Sequence, residues 1–361
     1  MIVGLVHGGA HNSSCWGLLV PELEALGHQV RLVDLPVDDP TAGPEEYVAA
    51  AVAAFDTGEP LVVVAHSLGA ATALALEERL PLVGLILLCP AIPYSAEQAP
   101  DQPADLLLIP PEANPVGDDG MVHMSQADAI RYFYSACPPD VAAAAATRIR
   151  PQGLAGMVPP AELRQIRVPS VLVRTDADAA VGAPWSDWAA LALTGRPAVV
   201  IAGDHSPFLS APADLASTLD GIAAGWSARV VPESHRDLTR AMTATLSTLT
   251  PDGGIQVTAV AFHFDEATGR FQISLNDARR KARNLRRTPV ATLFVVDPDN
   301  KYRTLEVRAD VQMEPDPVFA FAAHAGARYG HDFHDHDAPG ETRSKVTLHP
   351  RRIVATDLTP T

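Results

Sequence analysis

At 361 residues the chain exceeds the size at which a single hydrophobic core keeps growing, so two domains are expected. With 47% hydrophobic and 19% charged residues it is far from the composition of disordered chains, and no apolar run approaches the roughly 18 residues of a membrane span. Residues 1–229 hold 10 Arg, no Lys and 26 acids, so the whole formal charge of −16 lies there; that argues against a nucleic-acid or membrane partner for the first part.

The chain opens on Ile2-Val3-Gly4-Leu5-Val6 with no basic leader, and Cys15, Cys89 and Cys137 form an odd, widely spaced set without disulfide or zinc spacing. Both features point to a reducing, cytoplasmic setting. Short Val/Ile/Leu runs recur at 2–6, 30–33, 61–64, 85–88, 170–173 and 198–201, separated by helix-like Ala/Leu/Glu stretches. Continuous apolar strands need helices on both faces, so the spacing predicts a doubly wound parallel α/β sheet whose ligands bind beyond the strands' carboxyl ends.

After the run at 61–64, Ala65-His66-Ser67-Leu68-Gly69 leads straight into a helical stretch, as a nucleophile elbow requires. Such a turn needs small residues at 65 and 69, where larger side chains would meet neighbouring backbone. Ser67 is the candidate nucleophile. Asp178 follows the strand at 170–175 and His205 follows the strand at 198–202, giving the chain order Ser, Asp, His, with Asp176 as a rival for the acid. His66 reads as scaffolding of the elbow. His7-Gly8-Gly9-Ala10-His11 follows the first strand, so the N–H groups of Gly9 and Leu68 are the candidate oxyanion pair. Residues 91–165, an insertion without clear strands, suit a helical cap; the roles of Tyr132-Phe133-Tyr134 stay open.

On these residues, His7 to Trp16, Leu23 to Pro36, Ala65 to Ala70, Phe133 to Gln152 and Gly203 to His205, most of residues 1–226 resembles the plant-type methylesterase and hydroxynitrile lyase branch of the α/β-hydrolases. The lyases of that branch carry a Thr after the first motif's His and a Lys after the catalytic His. Gly8 and Ser206 stand there, and no lysine is available in this part to stabilise departing cyanide, so ester hydrolysis is the expected chemistry.

A change to β-rich alternation puts the domain boundary near residue 228, giving domains 1–228 and 229–361. The second opens on a helix-like stretch, Glu233 to Leu246, and a turn, Pro251-Asp252-Gly253-Gly254. Strand-like runs at 255–264, 270–275, 290–297, 302–314, 342–348 and 351–357 predict closure as a small β-barrel. A basic helical run from Arg279 to Arg287, ended by Thr288-Pro289, could present N–H groups and cations to a phosphate, with Arg279 and Lys281 best placed; a solvated helix face is the plain alternative. His331-Asp332-Phe333-His334-Asp335-His336-Asp337 has the look of a metal cluster but reads as a polar loop, and no metal is expected.

Pro232 to His235, Thr250 to Gly253, Gln272 to Ser274, Arg279 to Arg286 and Pro298 to Arg303 resemble the F420-dependent split β-barrel reductases, relatives of pyridoxamine phosphate oxidase, over nearly all of 230–357. The resemblance implies a homodimer with its cofactor at the interface. It also implies that Arg279, Lys281 and Asn284 hold the cofactor phosphate, with Ser274, Gln256, Tyr302 and Arg303 nearby; Arg280 stands where that family has a small residue. The expectation is a bifunctional enzyme, a serine esterase fused to an F420-linked reductase of activated double bonds. FMN in an oxidase-like barrel, or a barrel that binds and dimerises without turnover, are the alternatives.

Overall fold

The computed structural model describes residues 1–57, 61–157, 162–227, 230–266 and 268–360. Two compact units separate, Met1–Trp226 and Ser227–Thr361; the boundary expected near residue 228 falls outside the described residues. No described helix is long and apolar enough to cross a membrane.

The first unit contains strands β1 (Ile2–Val6), β2 (Gln29–Val33), β3 (Leu61–His66), β4 (Leu82–Leu88), β5 (Met121–Val122), β6 (Gln152–Gly153), β7 (Ser170–Thr175) and β8 (Val199–Ile201). Six of these form one parallel sheet in the order β2-β1-β3-β4-β7-β8. β1 and β3 are buried at every position, in keeping with their Ile/Val/Leu-rich composition, whereas β2, at the edge, is largely exposed. Helix Pro44–Phe55 shows how the covering layer is specified: Pro at its start, Glu46 accepting from the Gly43 N–H at 2.9 Å, and an apolar stripe of Tyr47, Val48, Ala51 and Phe55 turned to the sheet.

Between β4 and β7 the chain forms the cap, with helices Gln126–Tyr132 and Pro139–Ala146. The cap was expected to lack strands, yet β5 and β6 pair as a short antiparallel ribbon. Two residues on each strand are too few to show any period in the sequence.

The second unit is antiparallel, with β9 (Ala244–Leu249), β10 (Ile255–Val260), β11 (His263–Asp265), β12 (Arg270–Asn276), β13 (Val290–Val296), β14 (Arg303–Pro315) and β15 (Arg343–Asp357) in the order β10-β9-β13-β14-β15-β12-β11. The sheet curls as a half-barrel around Leu246, Phe271, Leu293, Leu305, Val307 and Val346, with β10 and β11 as its edges, consistent with the expected split barrel. Three expected elements differ. The helix-like opening is a 3₁₀ helix over Glu233–Arg240 only, because Ala244, Leu246 and Thr248 alternate inward with period two and belong to β9. The run at 255–264 breaks because the Tyr329 hydroxyl accepts the Phe262 N–H at 3.0 Å and donates to the Phe262 carbonyl at 2.9 Å, replacing the ladder there. The runs at 342–348 and 351–357 are one strand, whose register against β14 shifts between Arg308 and Ala309.

Candidate active site

Ser67 sits one residue past β3 with φ at +50°, a left-handed backbone that a non-glycine residue adopts only when its surroundings impose it. The loop after β1 packs tightly against this turn. A Cβ on Gly69 would lie 2.3 Å from the His7 carbonyl oxygen, and one on Gly8 would lie 2.8 Å from the Ser67 Cβ, so the loop after β1 and the elbow after β3 fit only as glycine. The turn holds the Ser67 side chain at the rim of a pocket while leaving the residue 9% exposed.

Ser67 Oγ–H donates to His205 Nε2 at 3.1 Å, and His205 Nδ1–H donates to the two Asp178 oxygens at 2.9 and 3.1 Å. A carboxylate only accepts, so this arrangement selects the imidazole tautomer whose Nε2 is free to take a proton. Burial alone would raise the Asp178 carboxyl. The His205 charge, its hydrogen bond and the N–H groups of Val181 and Ala180 outweigh that and hold it below the usual carboxylate range. Asp176, the rival, accepts from the Gly203 N–H at 3.1 Å and so braces the loop that carries His205. His66 Nε2–H donates to the His205 carbonyl at 2.8 Å, which fixes that residue's backbone. Cys89 Sγ lies within 4.8 Å of the Asp178 and His205 ligand atoms, but burial pushes its thiol well up and keeps it neutral.

Gly9 and Leu68 flank the pocket beside Ser67, and their N–H groups donate to no described residue. The next N–H along, that of Ala10 (φ +59°), donates to Gln152 Oε1 at 3.1 Å. The Gln152 amide in turn donates to Tyr47 Oη and to the Gly153 carbonyl, so a cap residue on β6 fixes the loop that carries Gly9. A second cap tie is buried Asp204, which accepts from the N–H of Ala136 at 2.9 Å and of Ser206 at 3.0 Å and from the Ser210 hydroxyl at 2.8 Å. The sequence reading missed Gln152 and Asp204 as functional residues. Asp204 adjoins His205, a signal of position alone, while Gln152 lies 142 residues from the N–H it binds.

In the second unit, helix Arg280–Arg287 starts from Arg279 and stops where Thr288, extended ahead of Pro289, cannot continue it. The structure brings Lys281, Asn284 and Gln256 together. Asn284 Nδ2 donates to Gln256 Oε1 at 2.9 Å and to Thr248 Oγ1 at 3.1 Å, and Lys281 Nζ lies 3.5 Å from Thr258 Oγ1. Burial, then the charges of Arg279 and Arg343, lowers the Lys281 ammonium. Arg343 is already paired with Asp337 at 2.8 Å, which leaves half-buried Lys281 and exposed Arg279 as cations without an ion pair among the described residues, a fit for an anionic group such as a phosphate. Ser274 accepts from Arg343 Nε at 3.0 Å beside this cluster. Tyr302 and Arg303 are not brought there within one chain. The row Gln256, Thr248, Ala291, Ala309 crosses β14 six residues from Arg303, about 20 Å along the strand. Arg303 is instead engaged by Asp297 at 2.5 Å and Asp237 at 2.8 Å. In the stretch 331–337, Asp337 accepts from Arg343 and Asn276, and His334 stacks on Phe319 at 3.6 Å.

Residues 5–218 match the family described as "Alpha/beta hydrolase family", and residues 231–357 match the one described as "Pyridoxamine 5'-phosphate oxidase". "Probable esterase PIR7A" of Oryza sativa subsp. indica is 37% identical over 86 residues, 21% of this chain and 33% of its own, so the chain spans about a third of that relative. A solved pyrethroid hydrolase from Sphingobium faniae aligns over 62% of this chain and 97% of its own at 21% identity and a TM-score of 0.52, a likeness of fold. A solved "F420 Reductase" is 32% identical over 34% of this chain and 98% of its own, with a TM-score of 0.31. The chain belongs to the alpha/beta hydrolase family and carries a pyridoxamine 5'-phosphate oxidase-like domain behind it.

Proposed function

We propose that the first unit is a serine esterase working through an acyl-enzyme. The observation that carries this reading is the hydrogen-bonded chain Ser67–His205–Asp178 at the carboxyl ends of three parallel strands. Ser67 Oγ attacks the ester carbonyl carbon while His205 Nε2 takes its proton. Asp178 stays ionised and stabilises the imidazolium, and the N–H groups of Gly9 and Leu68 face the developing oxyanion. His205 then returns the proton to the departing alkoxide. A water attacking the acyl carbon repeats the cycle, releasing the acid and restoring Ser67. A fluorophosphonate probe should label Ser67 stoichiometrically and abolish ester turnover; peptide mapping that finds the label elsewhere would refute the assignment.

The second unit, in this proposal, binds F420 by its phosphate through Arg279, Lys281 and Asn284, with Gln256 and Ser274 alongside. Support comes from Lys281 and Arg279, which make no ion pair among the described residues, and from the residue pattern Arg279 to Arg286. Hydride transfer to an electron-poor double bond is the chemistry that cofactor supplies; the protein's part is to bind and orient. FMN is the second reading, favoured by the family match to an oxidase. Fluorescence titration with each cofactor separates them. Lys281→Ala should weaken the preferred one at least about tenfold, the scale of one charge-assisted contact. Cofactor that binds but is never oxidised in the presence of unsaturated acceptors would leave the barrel as a binding module.

The barrel also pairs with a second copy of the chain, and Tyr302 and Arg303 would reach a cofactor only across that pair. The outward face of edge strand β10 presents Ile255 at 68% and Val257 at 58% exposure, an apolar edge of the kind proteins otherwise protect. Val257→Lys should shift the chain from dimer to monomer in light scattering, and a dimer that persists unchanged would exclude this face. With three free cysteines, two of them buried, the chain fits a reducing cytoplasm.

A further inference from the structure

Resting on Ser67 as the nucleophile, we propose that the first unit takes uncharged esters whose apolar body carries one hydrogen-bond-accepting oxygen, and that Asn114 reads that oxygen. The pocket beside Ser67 and His205 is narrow, about 70 Å³, and its walls are mostly apolar: Leu107, Ile109, Val122, Met124, Phe133 and Val181. Apart from His205, no titratable side chain is among the described residues that line it. A carboxylate or ammonium lodged there would lose its water without gaining an ion pair or a charged hydrogen bond, so charged substrates are excluded at the walls.

Two amides face this space, and their commitments differ. Gln152 spends its oxygen on the Ala10 N–H and its nitrogen on Tyr47 Oη and the Gly153 carbonyl, which leaves it nothing strong for a ligand. Asn114, at the end of the 3₁₀ turn Pro111–Ala113, uses its backbone N–H on the Pro111 carbonyl, while its side chain has no partner among the described residues. Its position at the pocket wall, half-buried, makes it the single uncommitted side-chain amide among the described residues that line the pocket. A substrate oxygen opposite it replaces water on both partners. A hydrocarbon there would strip the amide of water and leave it unsatisfied, and this asymmetry makes polar recognition selective.

The test is kcat/KM of the full-length protein on a matched ester series: a plain acyl chain, the same chain with one ketone walked along it carbon by carbon, and the same chain ending in a carboxylate or an ammonium. At one ketone position turnover should exceed the plain ester at least about tenfold, and the charged esters should fall at least about 100-fold below it. Asn114→Leu should bring the ketone-to-plain ratio close to one. Asn114→Asp, of the same shape but accepting only, should invert it. The ratio is the readout, and the rate of fluorophosphonate labelling at Ser67 reports whether each variant is folded. No favoured ketone position, a ratio that survives both variants, or charged esters turned over like neutral ones would overturn the proposal while Ser67 still labels. Failure of Ser67 to label would instead remove the esterase reading and this one with it.

Discussion

Ser67→Ala is expected to lower kcat/KM for any ester substrate by at least about ten-thousand-fold, because removing the nucleophile leaves only the oxyanion donors and substrate binding to act on the reaction. His205→Ala should cost about as much, and the double variant little more than either single one. Residues that work as one proton-transfer unit are not additive, so this near-equality is the diagnostic result. Two independent losses that multiplied would separate the pair mechanistically. Stability should move the other way. Ser67 is held at φ +50°, where a side chain costs of order 1 kcal/mol, and glycine bears no such cost. Ser67→Gly should therefore raise the unfolding free energy of the first unit by about that amount while abolishing turnover. A variant that is inactive and less stable would show that the Ser67 side chain contributes packing which the geometry does not reveal.

The residues that made this centre legible are those whose constraints are local. Small residues at 65 and 69 and the apolar runs before Ser67, Asp178 and His205 follow from strand and turn chemistry within a few positions, and the structure places all three side chains at strand ends within hydrogen-bond reach. Supports that come from far along the chain left no such mark. Gln152 reaches the Ala10 N–H from a two-residue strand, and the uncommitted amide of Asn114 is defined only by bonds it does not make. In the second unit the composition disclosed a β-sheet but not its interruptions. The Tyr329 hydroxyl that splits β10 from β11 sits 67 residues from Phe262, and the positive charge of Arg303 is spent on Asp297 and Asp237, although a phosphate site could equally have used it. Charge counts locate cations; only packing shows which of them are already paired.

Acid should unfold the first unit between about pH 5.5 and pH 2.5. Three buried histidines around the elbow are each locked in a neutral tautomer. His7 accepts the Leu35 N–H at Nε2 and donates to the Gly8 carbonyl, His11 accepts the Tyr134 hydroxyl and donates to the Gly9 carbonyl, and His66 donates to the His205 carbonyl. Burial holds His7 down to about 4, His11 to about 3, and His66 well below the ordinary 6.5. As pH falls below about 6.5 the unfolded chain takes up three protons that the folded one refuses, so stability is full above that value and drains below it. Each site removes about 1.4 kcal/mol per pH unit, and three together about 4, enough to exhaust a typical stability of roughly 5–15 kcal/mol within about one to four units. Asp178 adds to this only lower down, since its depressed carboxyl surrenders its contribution as pH falls through the folded value. All four tryptophans lie within residues 1–226, so tryptophan fluorescence follows this unit alone. Urea titrations read this way should give an unfolding free energy that rises with pH at about three protons per unit near pH 5. His11→Gln should lower that slope by about one proton. A slope below one proton in the native protein would mean that these histidines are charged in the folded state, and that the hydrogen-bonded tautomers around the elbow are wrongly assigned.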